Sequence, residues 1–146
     1  MRPISRSRTL SAPPAAVWSL LSDPDHLPRW WPGVQRVEDV TDRAWTKVLV
    51  SPKGKTVRAD YTLLESETER RALWRHEVEE SPFERILAES LTEIELEPAD
   101  GGTRVAMSAR MRPRGWARFG TLQLRRATAR QLDSALDGLE AAVGEG

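Results

Sequence analysis

The stretch WARFGTLQLRRATARQLDSALDGLEAAV, Trp116 to Val143, decides the fold. Apolar residues recur in it at Phe119, Leu122, Ala129, Leu132, Leu136, Leu139 and Val143, a three-and-four spacing that collects them on one face of a helix. At 1.5 Å per residue such a helix is about 40 Å long, so most of the remaining chain must pack along it. Its two halves differ. Leucines fill the C-terminal half, whereas Arg126 holds the stripe position between Leu122 and Ala129, and Gly120 and Ala127 thin the bulk nearby. The spacing predicts an anchor in the second half and a cavity wall in the first.

Ahead of this helix the hydrophobic period is two. Residues 34–40, 44–50, 56–64, 71–78, 84–97 and 103–111 read as strands, separated by turn residues at Thr41-Asp42, Pro52-Lys53-Gly54, Ser81-Pro82 and Asp100-Gly101-Gly102. Short connections between successive strands make an antiparallel meander. A further strand is expected at residues 3–10. Ser11-Ala12-Pro13-Pro14 then opens a helix whose buried side is Val17, Trp18, Leu20 and Leu21, because proline is tolerated in a first turn. Asp23-Pro24 stops it, and His26 to Trp31 forms a second short helix ending at Pro32-Gly33.

The order is strand, two short helices, six strands and a long helix, an α+β arrangement. A curved seven-stranded antiparallel sheet wrapped around the C-terminal helix satisfies every apolar face. Alternation assigns inward sets: Val57, Ala59, Tyr61 and Leu63; Ala72, Trp74, His76 and Val78; Ile86, Ala88, Ser90, Thr92, Ile94 and Leu96; Val105, Met107, Ala109 and Met111. Strand 44–50 stays open, since Trp45, Lys47 and Leu49 compete with Thr46, Val48 and Val50 for the inward role.

Composition narrows the function classes. A chain of 146 residues fits a single domain, 1–146, with one core. Basic and acidic residues balance at 22 each, so no bulk field draws the protein to nucleic acid or to an acidic membrane. The absence of cysteine excludes disulfides, thiolate catalysis and cysteine-ligated zinc. No apolar run suggests a signal peptide or a membrane span, and a cytoplasmic location is the expectation.

The chain resembles the polyketide cyclase/dehydrase and lipid-transport family of the START-like, helix-grip superfamily. The likeness rests on Ser11-Ala12-Pro13-Pro14-Ala15-Ala16-Val17-Trp18 entering the first helix and on Leu27-Pro28-Arg29-Trp30-Trp31-Pro32-Gly33-Val34. It continues in Gly102-Thr103-Arg104-Val105 at the start of the last strand and in Gln131-Leu132-Asp133 through Leu139 of the final helix. The resemblance implies a helix-grip fold with a hydrophobic cavity between sheet and long helix. Most members of this sort look like binders of small apolar molecules, and a minority are aromatase/cyclases acting on polyketides.

Candidate site residues follow from the inward faces. Trp74 and His76 share a strand face with Tyr61 on the neighbouring strand. An imidazole and a phenol there could orient a ligand carbonyl or act as acid and base; the plainer reading is a core histidine hydrogen-bonded to a backbone carbonyl or to Tyr61. Ser90 and Thr92 replace aliphatic residues and offer hydroxyls to a ligand or to the sheet itself. Met107 and Met111 are adaptable wall or core filler. Of the pair Trp30-Trp31, Trp31 is expected inside and the other ring near the surface, at the cavity mouth. Phe119, Leu122 and Arg126 complete the expected lining, with Arg126 snorkelling, meeting an internal acid or receiving an anionic ligand group.

The expected function is therefore binding or transport of a small hydrophobic molecule of lipid, polyketide or isoprenoid type, by a monomer or homodimer. A cyclase or dehydratase using His76 and Tyr61 is the alternative. No cofactor or metal is expected: there is no Gly-rich phosphate loop, no serine nucleophile elbow, no Rossmann fingerprint and no histidine pair at ligand spacing. A third reading, an RNA or protein interaction module, rests on the eight arginines without an acid between Gly101 and Leu132. Cross-strand acids at Glu89, Glu93, Glu95 and Glu97 would neutralise those on the last strand, and the lack of interleaved aromatics argues against base stacking.

Overall fold

The computed structural model describes residues 2–51, 53–79, 81–115 and 120–144. Among the described residues, seven strands and three α-helices follow the predicted order. They are β1 (Ile4–Leu10), α1 (Pro14–Leu21), α2 (Leu27–Trp30), β2 (Val34–Glu38), β3 (Ala44–Val50), β4 (Thr56–Glu67), β5 (Arg71–His76), β6 (Leu87–Ala99), β7 (Gly102–Pro113) and α3 (Thr121–Gly144), with a 3₁₀ turn, Pro24–His26, leading into α2. Pro14 occupies the first turn of α1, where its missing N–H costs no hydrogen bond. The 3₁₀ turn is capped by the Asp23 carboxylate, which accepts from the Asp25 amide at 3.0 Å.

All pairings are antiparallel and the order is β1-β7-β6-β5-β4-β3-β2, an open sheet with β1 and β2 at its edges. α3 crosses the concave face. Its buried residues are Thr128, Leu132, Ala135, Leu136, Leu139 and Ala142. The expected stripe is corrected at its N-terminal end: Leu122 is 62% exposed and Arg126 is exposed. Stepping back from Leu132 by one turn at a time reaches Thr128 and then Leu124, so Leu122 and Arg126 lie roughly 100° or more from the middle of the buried face. The stripe runs through a threonine, which a search for apolar spacing passes over. Phe119 falls outside the described residues.

Two contacts lock α3 in place. Arg6 and Arg8 point from the edge strand β1 to acids of α3, Arg6 to Asp133 at 3.4 Å and Arg8 to Asp137 and Glu140. At Gly138 the helix meets α2 so closely that a Cβ would lie 2.2 Å from the Trp30 carbonyl oxygen.

The inward sets hold across β4, β5 and β7, and one position on β6 is corrected. A register shift between Leu87 and Glu89 inserts an extra residue, so Leu87 is buried at 7% exposure while Ile86 is 47% exposed. The open question of residues 44–50 is resolved in favour of Trp45, Lys47 and Leu49. Trp45 stacks on Tyr61, and the Lys47 amine lies over the Tyr61 ring. On the other face Val48 is buried between its register neighbours Arg36 and Arg58, whose guanidinium groups both bond Glu38.

Candidate functional site

Registry brings the candidate aromatics together. Tyr61 pairs with Trp45 on one side and His76 on the other, and Trp74 pairs with Leu63 and Thr92. The resulting row stacks: Trp45 and Tyr61 are 6.0 Å apart and nearly parallel, and Tyr61 and His76 are 4.8 Å apart at 15°. Trp74 meets this row edge-on, 5.5 Å from Trp45, and closes against Trp31 at 5.6 Å. Trp30 packs at 5.6 Å from Trp31 and 6.2 Å from Trp74. Both rings of the Trp30-Trp31 pair are buried, which corrects the expectation of one inside and one near the surface. Leu27 and Gly138 explain the difference, since they seat α2 against the core by both of its ends.

Inside this cluster lies Lys47, 0% exposed. Its Nζ sits 4.0 Å from the centre of the Trp31 ring, 4.1 Å from Tyr61 and 5.0 Å from Trp74. No hydrogen-bond acceptor meets it among the described residues. Burial therefore pushes its pKa well below the ordinary lysine value. His76 is held down to about 4, first by burial and then by the neighbouring Lys47, against the opposing pull of Asp60 and Glu77. Burial pushes the Tyr61 phenol up. At neutral pH the site thus holds an uncharged imidazole and an uncharged phenol. Trp30 Nε1, Trp45 Nε1 and His76 Nε2 share with Lys47 Nζ the lack of a partner among the described residues. Four unpartnered nitrogens in one aromatic cluster are unusual, because buried polar atoms nearly always find a partner.

A pocket of about 250 Å³ opens beside the cluster. Its apolar wall comes from Trp18, Leu21, Leu27, Trp45, Leu63, Ala72 and Trp74, and its polar rim includes Ser22, Asp23, Thr41, Asp42 and Ser66. It lies between α1 with its following 3₁₀ turn and the strands β3 to β5. No described residue of the first half of α3, where a cavity wall was expected, contributes to this lining.

Of the candidates named from sequence, Trp31, Tyr61, Trp74 and His76 are brought together. Thr92 is buried beside Trp74, and Ser90 is half-buried opposite Met111. Met107 is fully buried opposite Ile94, as core. Met111 contacts the Thr128 hydroxyl at 3.8 Å across to α3. His76 is bonded neither to Tyr61 nor to a carbonyl through Nε2; it stacks on the phenol ring, so the two groups do not face each other across an open pocket. Among the described residues no group of three or more histidine, aspartate or glutamate side chains is placed to hold a metal ion. Lys47 was not named as a site residue because alternation left the inward face of residues 44–50 open. One signal was available: the chain carries 19 arginines and three lysines, and two of those lysines, Lys53 and Lys55, fall in a turn.

Two of the eight arginines between Gly101 and Leu132 are occupied at home: Arg104 lies 4.0 Å from Glu97, and Arg125 donates to the Arg2 carbonyl at 2.6 Å.

An open antiparallel sheet gripping a long C-terminal helix is the helix-grip architecture. The chain belongs to the polyketide cyclase/dehydrase and lipid transport family, whose model matches residues 1–144. Among solved structures it resembles protein NE0264 from Nitrosomonas europaea, at 20% identity over 98% of this chain and 94% of that one, TM-score 0.75. The structure of Ara h 8.0201 matches at 18% identity over 99% of both chains, TM-score 0.77. The di-domain aromatase/cyclase StfQ of the steffimycin biosynthetic pathway matches at 13% identity over 98% of this chain and 50% of its own, TM-score 0.79. No curated protein matches the sequence. No helix among the described residues is long and apolar enough to cross a membrane.

Proposed function

We propose that the protein binds a small apolar molecule in the pocket between α1 and strands β3 to β5. The observation that carries this reading is the pocket itself: about 250 Å³, walled by Trp18, Leu21, Leu27, Trp45, Leu63 and Trp74, and rimmed by polar side chains. Small-molecule sites of this kind combine an apolar wall with a few polar groups that orient the ligand, and run from about 300 Å³ upward. The volume favours a compact ligand, or one end of a longer lipid or polyketide chain whose remainder passes the rim. Family membership supports the same class of ligand.

The test is a titration with hexan-1-ol followed by tryptophan fluorescence, since Trp18, Trp45 and Trp74 all line the pocket. Saturable quenching is expected in the native protein and its loss in Ala72→Leu, which fills the pocket from a buried lining position. Equal binding by both proteins, or none by either, refutes the proposal.

A further inference from the structure

The pocket between α1 and strands β3 to β5 carries charge of one sign. The charged side chains in its lining are two aspartates, Asp23 and Asp42, and no basic residue joins them. Elsewhere on the surface acids meet arginines: Glu38 takes Arg36 and Arg58, and Arg71 takes Glu65 and Glu93. Of the 19 arginines in the chain none lines this pocket, Arg43 included, although it follows Asp42 in sequence. Asp42 is exposed and has no hydrogen-bond or ion-pair partner among the described residues. Asp23 accepts the Asp25 amide through one oxygen, and its other oxygen lies 3.7 Å from His26 Nε2.

The wall suits a ligand of the opposite sign. Trp18, Trp45 and Trp74 line it, and the negative face of an indole ring attracts a cation. Both acids are set by fixed turns. The Thr41 hydroxyl accepts the Arg43 and Ala44 amides at 3.2 and 3.0 Å, which holds the turn that carries Asp42, and Asp23 opens the 3₁₀ turn after α1. An anionic headgroup would meet two like charges and no cation, so this lining selects against acids as well as for amines. A cation at the exposed rim retains part of its hydration and escapes the cost of burying an unpaired charge.

We propose that the pocket takes an amphiphilic amine: a primary ammonium stays at the rim beside Asp23 and Asp42 while its hydrocarbon body lies against Trp45, Leu63 and Trp74. This rests on the pocket being a ligand site, and it names the class of ligand that site prefers. The ammonium has three N–H donors, and the rim offers it acceptors in the two carboxylates and the Ser66 hydroxyl. Because the attraction acts through exposed groups, salt weakens it, whereas the contact of the hydrocarbon body with the wall does not depend on such screening.

The test compares hexylamine, hexan-1-ol and hexanoate at pH 7, each titrated into the full chain and followed by tryptophan fluorescence. Hexylamine is expected to bind about tenfold tighter than the alcohol, equivalent to about 1.4 kcal/mol, the size of two exposed ion pairs with one ring contact, and hexanoate more weakly than either. Asp23→Asn combined with Asp42→Asn keeps the shape of both side chains, and asparagine still caps a turn, so the double variant should fold and lose the preference for amine over alcohol. Raising the ionic strength to about 0.5 M should shrink that preference in the native protein. Saturable alcohol binding with an amine that binds no tighter, or an amine preference that survives the double replacement, overturns this proposal and leaves the binding function standing. No saturable binding of any of the three overturns both.

Discussion

Replacing Lys47 with methionine removes the amine while keeping an unbranched, flexible stem among Trp31, Tyr61 and Trp74, and it asks whether that amine is charged in the folded protein. Unfolded, the lysine titrates near its ordinary 10.5 and is protonated at neutral pH, whereas burial lowers the folded value well below that. The unfolded chain therefore holds one more proton throughout the window between the folded value and 10.5. Stability must rise with pH across this window, by about 1.4 kcal/mol per pH unit for one group, and fall as pH falls. A methionine has no such slope. At pH 7 Lys47→Met should be more stable by on the order of 3 kcal/mol, since it removes an uncompensated buried ionisable group. Urea unfolding at a series of pH values approaching 10.5 should then show the advantage shrinking as pH rises, as the native protein catches up. Lys53 and Lys55 are common to both proteins and cancel. Parallel stability curves would refute the reasoning. They would mean that the ammonium stays charged and that attraction to three ring faces, about 2 kcal/mol for a desolvated cation–π contact, outweighs desolvation.

Three further outcomes are expected. On a free helix surface Gly138→Ala would gain about 1 kcal/mol, but its Cβ would meet the Trp30 carbonyl at 2.2 Å. The obstacle is backbone, so overpacking should dominate and lower stability by about 2 kcal/mol; a raised Tm would show that α2 is not seated there. Trp74→Ala should cost about 3–5 kcal/mol in chemical denaturation and dim the near-ultraviolet circular dichroism, because this ring touches Trp30, Trp31, Trp45 and Tyr61. His76 is neutral in the fold down to about 4 yet protonates near 6.5 when unfolded, so acid should erode stability between those values. His76→Phe should flatten that part of the stability–pH curve; an unchanged slope would assign the acid loss to other groups.

The fold was legible because its two periodicities are clean: β5 and β7 alternate throughout, β4 alternates up to the register shift after Leu63, and Leu132, Leu136 and Leu139 keep helical spacing. Errors arose where one residue broke a period. The extra residue beside Ala88 exchanged Ile86 for Leu87, and Thr128, polar by type but buried by position, hid the true course of the helix face. The site was half legible. Tyr61, Trp74 and His76 declared themselves by sharing a face, since strand registry is implied by alternation. Lys47 did not, because its burial is created by rings from β4, β5 and the end of α2, and no local pattern encodes that convergence. The pocket's position was hidden for a related reason: its lining is assembled from α1, the 3₁₀ turn and strands β3 to β5, which no single period connects.

The placement of β1 also has a consequence for how the chain is made. β1 pairs only with β7, and Ser5 bonds Ser108 across 103 positions of sequence. At roughly 5–20 residues per second on a ribosome, β1 waits several seconds or more for its partner. During that wait Ile4 and Leu10 have no sheet to join, and the segment's polar residues, Arg6 and Arg8 among them, keep it hydrated. The cost of closing so long a loop grows only logarithmically, so final stability suffers little, but the rate of folding should be slow for a protein of this size. The charges at Arg6 and Arg8 therefore serve twice, as guards of a nascent strand and then as the clasp that shuts the finished one against its helix.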